Sequence, residues 1–390
     1  MRSVSVLVIA AWLPITAAAG FRPFLGPVFP APKSPSTKKA YQTSLKGLQS
    51  AIEAALSSGS SEHGPNVDGD SIYRIASTTK LLTVCLLLLQ AGDGILGDPV
   101  TKYLPELAGH GHWDDITIGA LAGYTAGIVS EVYGVDNISG GGLRAAFPDA
   151  FPPLDFDELP PCNYGQPGCT RETFLEHIVK RQQVYFSNTT PGYSNAGCAT
   201  LGLVLEFVTG KSYVESLRDR LVDPLDLNAT TVFPPQDTSR GVIVGDEASV
   251  GWNLTLEGVG IGMGAAFSSA NDMAAIGRAI LSSSLLDPNT TRAWLQQTVD
   301  LYTKSGNVAG YRANFVLVPD YDIGFVVLMA GRMARDVGAF SACPFWVALD
   351  RPTYGVYGLD EFVFHLDEWG RATAVEPKAL KLIREREKRA

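Results

Sequence analysis

The chain has 390 residues, 46% of them hydrophobic, and a formal net charge of −9. That length is enough to bury a sizeable core in one large domain or two subdomains. The acidic balance, with no long basic stripe to neutralise phosphates, argues against a nucleic-acid partner.

Met1-Arg2-Ser3 is followed by a largely apolar run from Val4 to Ile15 and then by Ala17-Ala18-Ala19. A short basic start, an apolar stretch too short for a membrane span and small residues at the end predict a signal peptide over residues 1–19, cleaved after Ala19. Asn-x-Ser/Thr sequons at Asn137, Asn188, Asn228, Asn253 and Asn289 agree with export, as does the use of cysteine. A secreted, extracellular glycoprotein is therefore expected, a monomer with no membrane attachment after cleavage. Cys162 and Cys169 bracket a loop rich in Gly and Pro and are expected to close a local disulfide. Cys85, inside the apolar run Leu81–Leu89, is expected as a buried thiol, and the pairing of Cys198 and Cys343 stays open.

Residues 20–40 read as an extended lead-in rich in Pro, Ser and Lys. Leu45, Leu48, Ile52 and Leu56 recur at helical spacing and predict an amphipathic helix over Tyr41–Leu56. Ser57–Asp70 is a polar loop, and Ser77–Gln90 reads as a helix buried on nearly all sides. The stretch from about 92 to 298 is mostly helical. It includes a helix after Tyr193-Ser194-Asn195 running to Thr209, a capping box at Ser212 and Glu215 opening a helix to Leu221, and a helix over Ser269–Ser283. Strand character then takes over: Leu301–Ser305, followed by the hairpin Tyr311–Pro319 and Ile323–Met329. The basic tail Lys381–Arg389, interrupted by Glu385 and Glu387, reads as a solvated helix end. The pattern predicts a sheet subdomain into which a helical subdomain is inserted.

Three short patterns carry chemistry. Ser77-Thr78-Thr79-Lys80 opens the buried helix, so the hydroxyl and amine share one face. A lysine in so apolar a helix favours its neutral form and can accept the serine proton. The copy at Ser36-Thr37-Lys38-Lys39 lies in the lead-in and is given no role. Tyr193-Ser194-Asn195 is the only Tyr-x-Asn in the chain, and Lys304-Ser305-Gly306 is the only Lys-Ser/Thr-Gly. A lysine on a strand can line a cleft wall, and the glycine allows a substrate backbone to approach.

In this order the three patterns resemble the serine β-lactamase and penicillin-binding-protein superfamily. The Tyr-x-Asn form is similar to its class C and esterase branch. The wider stretches Asp70–Gln90, Trp113–Ile128, Pro191–Leu205, Met263–Leu281, Tyr302–Gly331 and Tyr354–Phe364 resemble fungal secreted β-lactamase-like proteins. The resemblance implies an α/β (α+β) fold of the β-lactamase/transpeptidase type: an antiparallel sheet flanked by helices, with an inserted helical subdomain. It implies a catalytic domain over 41–331 and a remnant of a β-rich region over 332–390. Ser77 would form an acyl-enzyme, with Lys80 and Tyr193 sharing the general-base task and the two lysines favouring the Tyr193 phenolate. Asn195 would orient the substrate amide and Lys80, and Lys304 would bind a carboxylate or act on Tyr193. Ser305, Gly306 and Asn307 would bind substrate, the Asn307 N–H joining that of Ser77 in an oxyanion hole. The ligand is a small molecule, and no metal or cofactor is implied.

The resemblance departs in two places. Only Ser57–Val67, without a strand pattern, stands before Asp68-Gly69-Asp70, and Arg332–Ser341 leads almost directly into Ala342-Cys343-Pro344. A trimmed sheet is the expectation. Two alternatives therefore stay open: an acyltransferase or esterase on a secondary metabolite, and an inactive glycoprotein that keeps the fold. A metal-dependent reading of His110-Gly111-His112-Trp113-Asp114-Asp115 fails on ligand count, since only His63, His177 and His365 remain as further histidines.

Overall fold

A computed structural model describes residues 67–132, 168–243, 251–295, 302–308, 310–319, 323–330, 362–366, 372–377 and 384–385, with Cys162 and positions 37–39, 42, 43, 46, 47 and 50. The proposed signal peptide, Asn137, Cys343 and the two departing stretches up to residue 66 and from 332 to 341 lie outside these. Of the helix expected over 41–56, residues 42, 43, 46, 47 and 50 are helical and exposed.

The centre of the fold is α1 (Thr79–Ala91), whose residues from Thr79 to Leu88 are nearly all buried. A helix apolar all round belongs inside. The Ser77–Gln90 expectation is corrected at its start: Ala76–Thr78 forms a separate 3-10 turn, so Ser77 precedes α1. The cause is Ala76, held at φ +46°, a left-handed conformation costly for a residue with a Cβ.

The remaining helices wrap this axis: α2 (Ile118–Ala122), α3 (Arg171–Ile178), α4 (Asn195–Thr209), α5 (Tyr213–Leu217), α6 (Ile261–Gly264), α7 (Ala270–Leu281) and α8 (Pro288–Leu295). Their starts follow from sequence. Thr117, Thr170, Ser194 and Ser269 each accept a backbone N–H from three residues on. Ser212 and Glu215 form the expected capping box. The helix it opens stops being α-helical at Leu217, where Arg218–Val222 takes over as a π turn, short of the uniform run to Leu221. α7 is one residue shorter at its start and two at its end than the sequence pattern, because Ser269 serves as the cap outside the helix.

Two ladders sit against the helices. β1 (Ile72–Arg74) pairs antiparallel with β2 (Phe267–Ser269). β3 (Tyr302–Val308), β4 (Tyr311–Val318) and β5 (Ile323–Ala330) form an antiparallel meander, with Lys304 opposite Phe315 and Phe315 opposite Val326. β3 runs three residues beyond the expected Ser305 because its pairing with β4 continues to Val308 opposite Tyr311. Among the described residues this sheet has three strands. A further ladder joins β6 (Phe362–Leu366), β7 (Ala372–Pro377) and β8 (Arg384–Glu385). The tail read as a helix end is thus a strand at Arg384–Glu385, where Val375 and Ala374 offer a pairing partner that charge alternation cannot reveal.

The main core surrounds α1, α4 and the sheet. A second cluster joins Tyr73, Trp252, Phe267 and Tyr311 beneath β1 and β2. There the buried Arg74 guanidinium lies 4.7 Å from the Phe267 ring centre. Cys162 and Cys169 are joined in a disulfide, Cys85 and Cys198 are free buried thiols. No described helix is long and apolar enough to cross a membrane.

Gly306 determines how close β3 comes to the nucleophile. A Cβ there would lie 2.0 Å from the Ile75 carbonyl oxygen and 3.1 Å from Ser77 N. The glycine is therefore required by the protein's own turn as well as by any ligand. Gly306→Ala is expected to cost about 1–3 kcal/mol through overpacking and to lower Tm by several degrees in thermal unfolding; an unchanged Tm would show that β3 is not packed on the Ile75–Ser77 turn.

Candidate active site

Four elements converge on Ser77. The turn before α1 presents its hydroxyl, and α1 supplies Lys80 from one helical turn below. The lead into α4 supplies Tyr193 and Asn195, and β3 supplies Lys304. Lys80 Nζ donates to Ser77 Oγ at 3.0 Å and also to the Met263 carbonyl at the end of α6. Ser77 Oγ and Tyr193 OH are 2.8 Å apart, and Tyr193 OH donates to Asn195 Oδ1 at 3.1 Å. The Asn195 amide nitrogen donates to the Glu131 carboxylate. Lys304 Nζ donates to the Ser305 carbonyl at 2.6 Å, and its head lies 5.3 Å from the Tyr193 ring centre; that of Lys80 lies 5.1 Å away. Tyr124 packs on Tyr193 with ring centres 5.2 Å apart.

All five residues proposed from sequence as catalytic are thus gathered in one place, although Ser77 and Tyr193 stand 116 positions apart. The chain matches the Beta-lactamase family over residues 45–338, well over half of its length. The chain belongs to the Beta-lactamase family. It is 31% identical to a "Beta-lactamase-like protein" of Arthroderma benhamiae, over 68% of this chain and 50% of that one. It is 24% identical to a "Probable hydrolase M10" of a Phoma species, over 75% of this chain and 54% of the relative. It is also 29% identical to the D-alanyl-D-alanine-carboxypeptidase/endopeptidase AmpH of Escherichia coli, over 52% and 47%. The chain thus spans about half the length of the curated relatives it matches. Among solved structures, a D-stereospecific amidohydrolase from a Streptomyces species superposes with a TM-score of 0.55 at 22% identity, covering 72% of this chain and 88% of that one. A class C β-lactamase from Rhodobacter sphaeroides does so at 0.52 and 18%, covering 73% and 86%. These two share the β-lactamase/transpeptidase fold with the chain.

Within this family fold, the structure adds three site residues that sequence reasoning missed. Glu131 holds Asn195 across 64 positions. Met263 offers a backbone oxygen, which no side-chain pattern can announce. Tyr124, in the loop after α2, has a ring that reads in sequence as one more core aromatic. Asn195 turns its oxygen to Tyr193 and its nitrogen to Glu131, while Lys80 takes Met263 O as its second partner. Around His110 and His112, Gly111–Asp115 forms a 3-10 turn in which Asp114 accepts the Gly109 N–H. No grouping of three His, Cys, Asp or Glu suited to a metal occurs among the described residues.

The electrostatics follow from burial. Lys80 is only 2% exposed, and loss of water pulls its pKa down to about 8. Cys198 and Glu131 oppose that shift, and the like charge of Lys304 adds to it. Burial also lowers Lys304 to about 8. The Cys198 thiol, buried beside both lysines, is pushed up by the same desolvation. A lysine near 8 supplies a usable fraction of free amine at neutral pH.

The linkage to stability has a definite sign. Above about pH 8 the folded state releases the Lys80 proton that the unfolded chain retains up to 10.5. The unfolded state then binds more protons, so stability rises with pH between those values. Lys80→Met is expected to raise Tm at pH 7 and to flatten its rise between pH 8 and 10. Calorimetry giving an undiminished rise would remove Lys80 as its source.

Proposed function

We propose that the chain is an exported serine hydrolase that opens an amide, lactam or ester carbonyl through an acyl-enzyme on Ser77. The observation that carries this reading is Ser77 Oγ held between Lys80 Nζ at 3.0 Å and Tyr193 OH at 2.8 Å. In the first step Ser77 Oγ attacks the carbonyl carbon and its proton passes to Lys80 or Tyr193. The electrons of the carbonyl move onto its oxygen, toward the N–H groups of Ser77 and Asn307. Lys304 offers a cation to a substrate carboxylate, and Asn195 orients an amide. Collapse expels the leaving group with a proton, and water releases the acyl group by the reverse course.

Relatives named as a carboxypeptidase and an amidohydrolase support an amide or lactam substrate. Export is supported by the leader pattern and by the exposed sequon residues Asn188, Asn228, Asn253 and Asn289.

A second reading, an esterase or acyltransferase on an apolar metabolite, draws support from a cavity of about 420 Å³ beneath the site. Its walls include Leu81, Val84, Trp294 and Phe315, with Lys80 and Lys304 at one side. Such walls suit an aliphatic or aromatic group better than a peptide.

A fluorophosphonate or fluorescent penicillin is expected to add one equivalent to Ser77, seen by intact mass, and nothing to Ser77→Ala. Lys80→Ala and Tyr193→Phe should each slow that labelling by about 10²–10⁴-fold. Folded protein that takes no adduct, or Ser77→Ala that takes the same one, would falsify the reading. Hydrolysis of a chromogenic cephalosporin beside acyl esters of increasing chain length separates the two substrate classes. A rate that climbs with chain length favours the second reading.

A further inference from the structure

Among the described residues Phe186 is the most exposed large apolar side chain, at 80%, and its neighbours Val184 and Tyr185 are exposed as well. A lone surface phenylalanine needs no explanation, but a run of such residues forms an apolar patch that asks for a cover. Asn188 stands two positions further on, in Phe186-Ser187-Asn188-Thr189-Thr190. Of the five sequons this is the only one with an aromatic residue two places ahead of the asparagine; the others have Val135, Asp226, Gly251 and Asp287 there.

The backbone draws ring and amide together. Thr189 N donates to the Phe186 carbonyl at 3.2 Å, and the Thr189 hydroxyl donates to the same oxygen at 2.6 Å, which closes a tight turn. Asn188 is its third residue, at φ +62°, a left-handed position that asparagine tolerates better than most residues. Ser187 turns its hydroxyl inward to the Ala126 carbonyl at 3.2 Å, while Phe186 and Asn188 on either side of it are exposed. The Asn188 amide is held by its oxygen: Oδ1 accepts from the Thr125 hydroxyl at 3.2 Å. Among the described residues nothing uses Nδ2, the atom that carries an N-linked sugar.

We propose that Asn188 bears an N-linked glycan whose first sugar packs on the Phe186 ring, so that the protein's own modification covers the exposed aromatic. The proposal rests on the export reading. In the transfer, the C1–O bond of the sugar to a lipid pyrophosphate donor breaks, the C1–Nδ2 bond forms, and the amide gives one proton to the departing phosphate. The first sugar, an N-acetylglucosamine, then presents a face of C–H groups to the negative face of the aromatic ring, and both surfaces leave water. The contact also bears on the active site. Asn188 N donates to the Thr125 carbonyl at 2.7 Å, and Gly192 N to the carbonyl of Tyr124, the residue that packs on Tyr193. Fixing this turn therefore steadies one wall of the cleft.

The test uses protein secreted from a eukaryotic host as wild type, Phe186→Ala, Thr190→Ala and the double variant. Thr190→Ala removes the sequon and leaves Asn188 with its turn and its bond to Thr125. Peptide mass mapping is expected to find a glycan on Asn188 in the wild type. Each single variant should lower Tm by about 2–4 °C. The double variant should lose no more than the larger single loss, because both changes remove the same contact. Enzymatic trimming of the glycan to its first sugar should leave the wild-type Tm in place. An unmodified Asn188 beside a glycosylated Asn228 or Asn289 overturns the proposal, and so do additive losses in the double variant. A dimer that Phe186→Ala dissolves would put a second copy on the ring and overturn it too. Retention in the cell with no sequon modified defeats the export reading, and the proposal with it.

Discussion

An ammonium-bearing side chain placed inside an apolar helix, one turn below a serine, is the constraint around which this protein is built. Lys80 is almost wholly buried, so its head must find partners or lose its proton. It does both in part: Ser77 Oγ and the Met263 carbonyl receive its hydrogen bonds, and its pKa falls to about 8. The other polar groups of α1 are tied in the same direction. Thr79 Oγ1 accepts from Ala266 N, and Thr83 Oγ1 bonds to the Gly262 carbonyl and to the Tyr213 hydroxyl. The backbone of residues 262–266 is thereby fixed against α1, which is what places Met263 O over Lys80.

The opposite wall is organised by the short stretch 124–131. Its carbonyls receive Gly192 N at Tyr124, Asn188 N at Thr125, both Val184 N and Tyr185 N at Gly127, and Asn195 N at Ser130. Gly127 needs to be glycine on two counts: its φ is +70°, and a Cβ would lie 1.9 Å from the Tyr185 carbonyl. One irregular segment therefore holds the loop before Tyr193, carries Tyr124 against its ring and ends in Glu131. Rigidity here comes from backbone bonding, so the pocket wall needs no regular element.

Much of this was legible in the residues. The capping box at Ser212 and Glu215 announces where α5 begins because it needs only those two side chains and the first turn. The hairpin of β4 and β5 follows from β-branched and aromatic residues on either side of the sequence Pro319-Asp320-Tyr321-Asp322. What failed depended on contacts that no local pattern contains. The 3-10 turn at Ser77 comes from the left-handed Ala76, whose side chain gives no hint of it. The extension of β3 to Val308 comes from its partner strand, and so does the strand at Arg384–Glu385.

The sequence by itself determined the chemical parts: a serine and a lysine one turn apart, a Tyr-x-Asn at a helix start and a Lys-Ser-Gly on a strand. Spacing along one element fixes such neighbours, because helix and strand geometry is the same in every fold. It also determined that α1 must be buried, since no face of it suits water. The tertiary structure alone decided how the parts are joined. Packing of α4 against α1 brings Tyr193 to Ser77, the close approach allowed by Gly306 brings β3 alongside, and α6 delivers a carbonyl to Lys80. Above all it set Glu131 behind Asn195. Which atoms meet across distant segments is a property of the assembled chain, because no local spacing determines it.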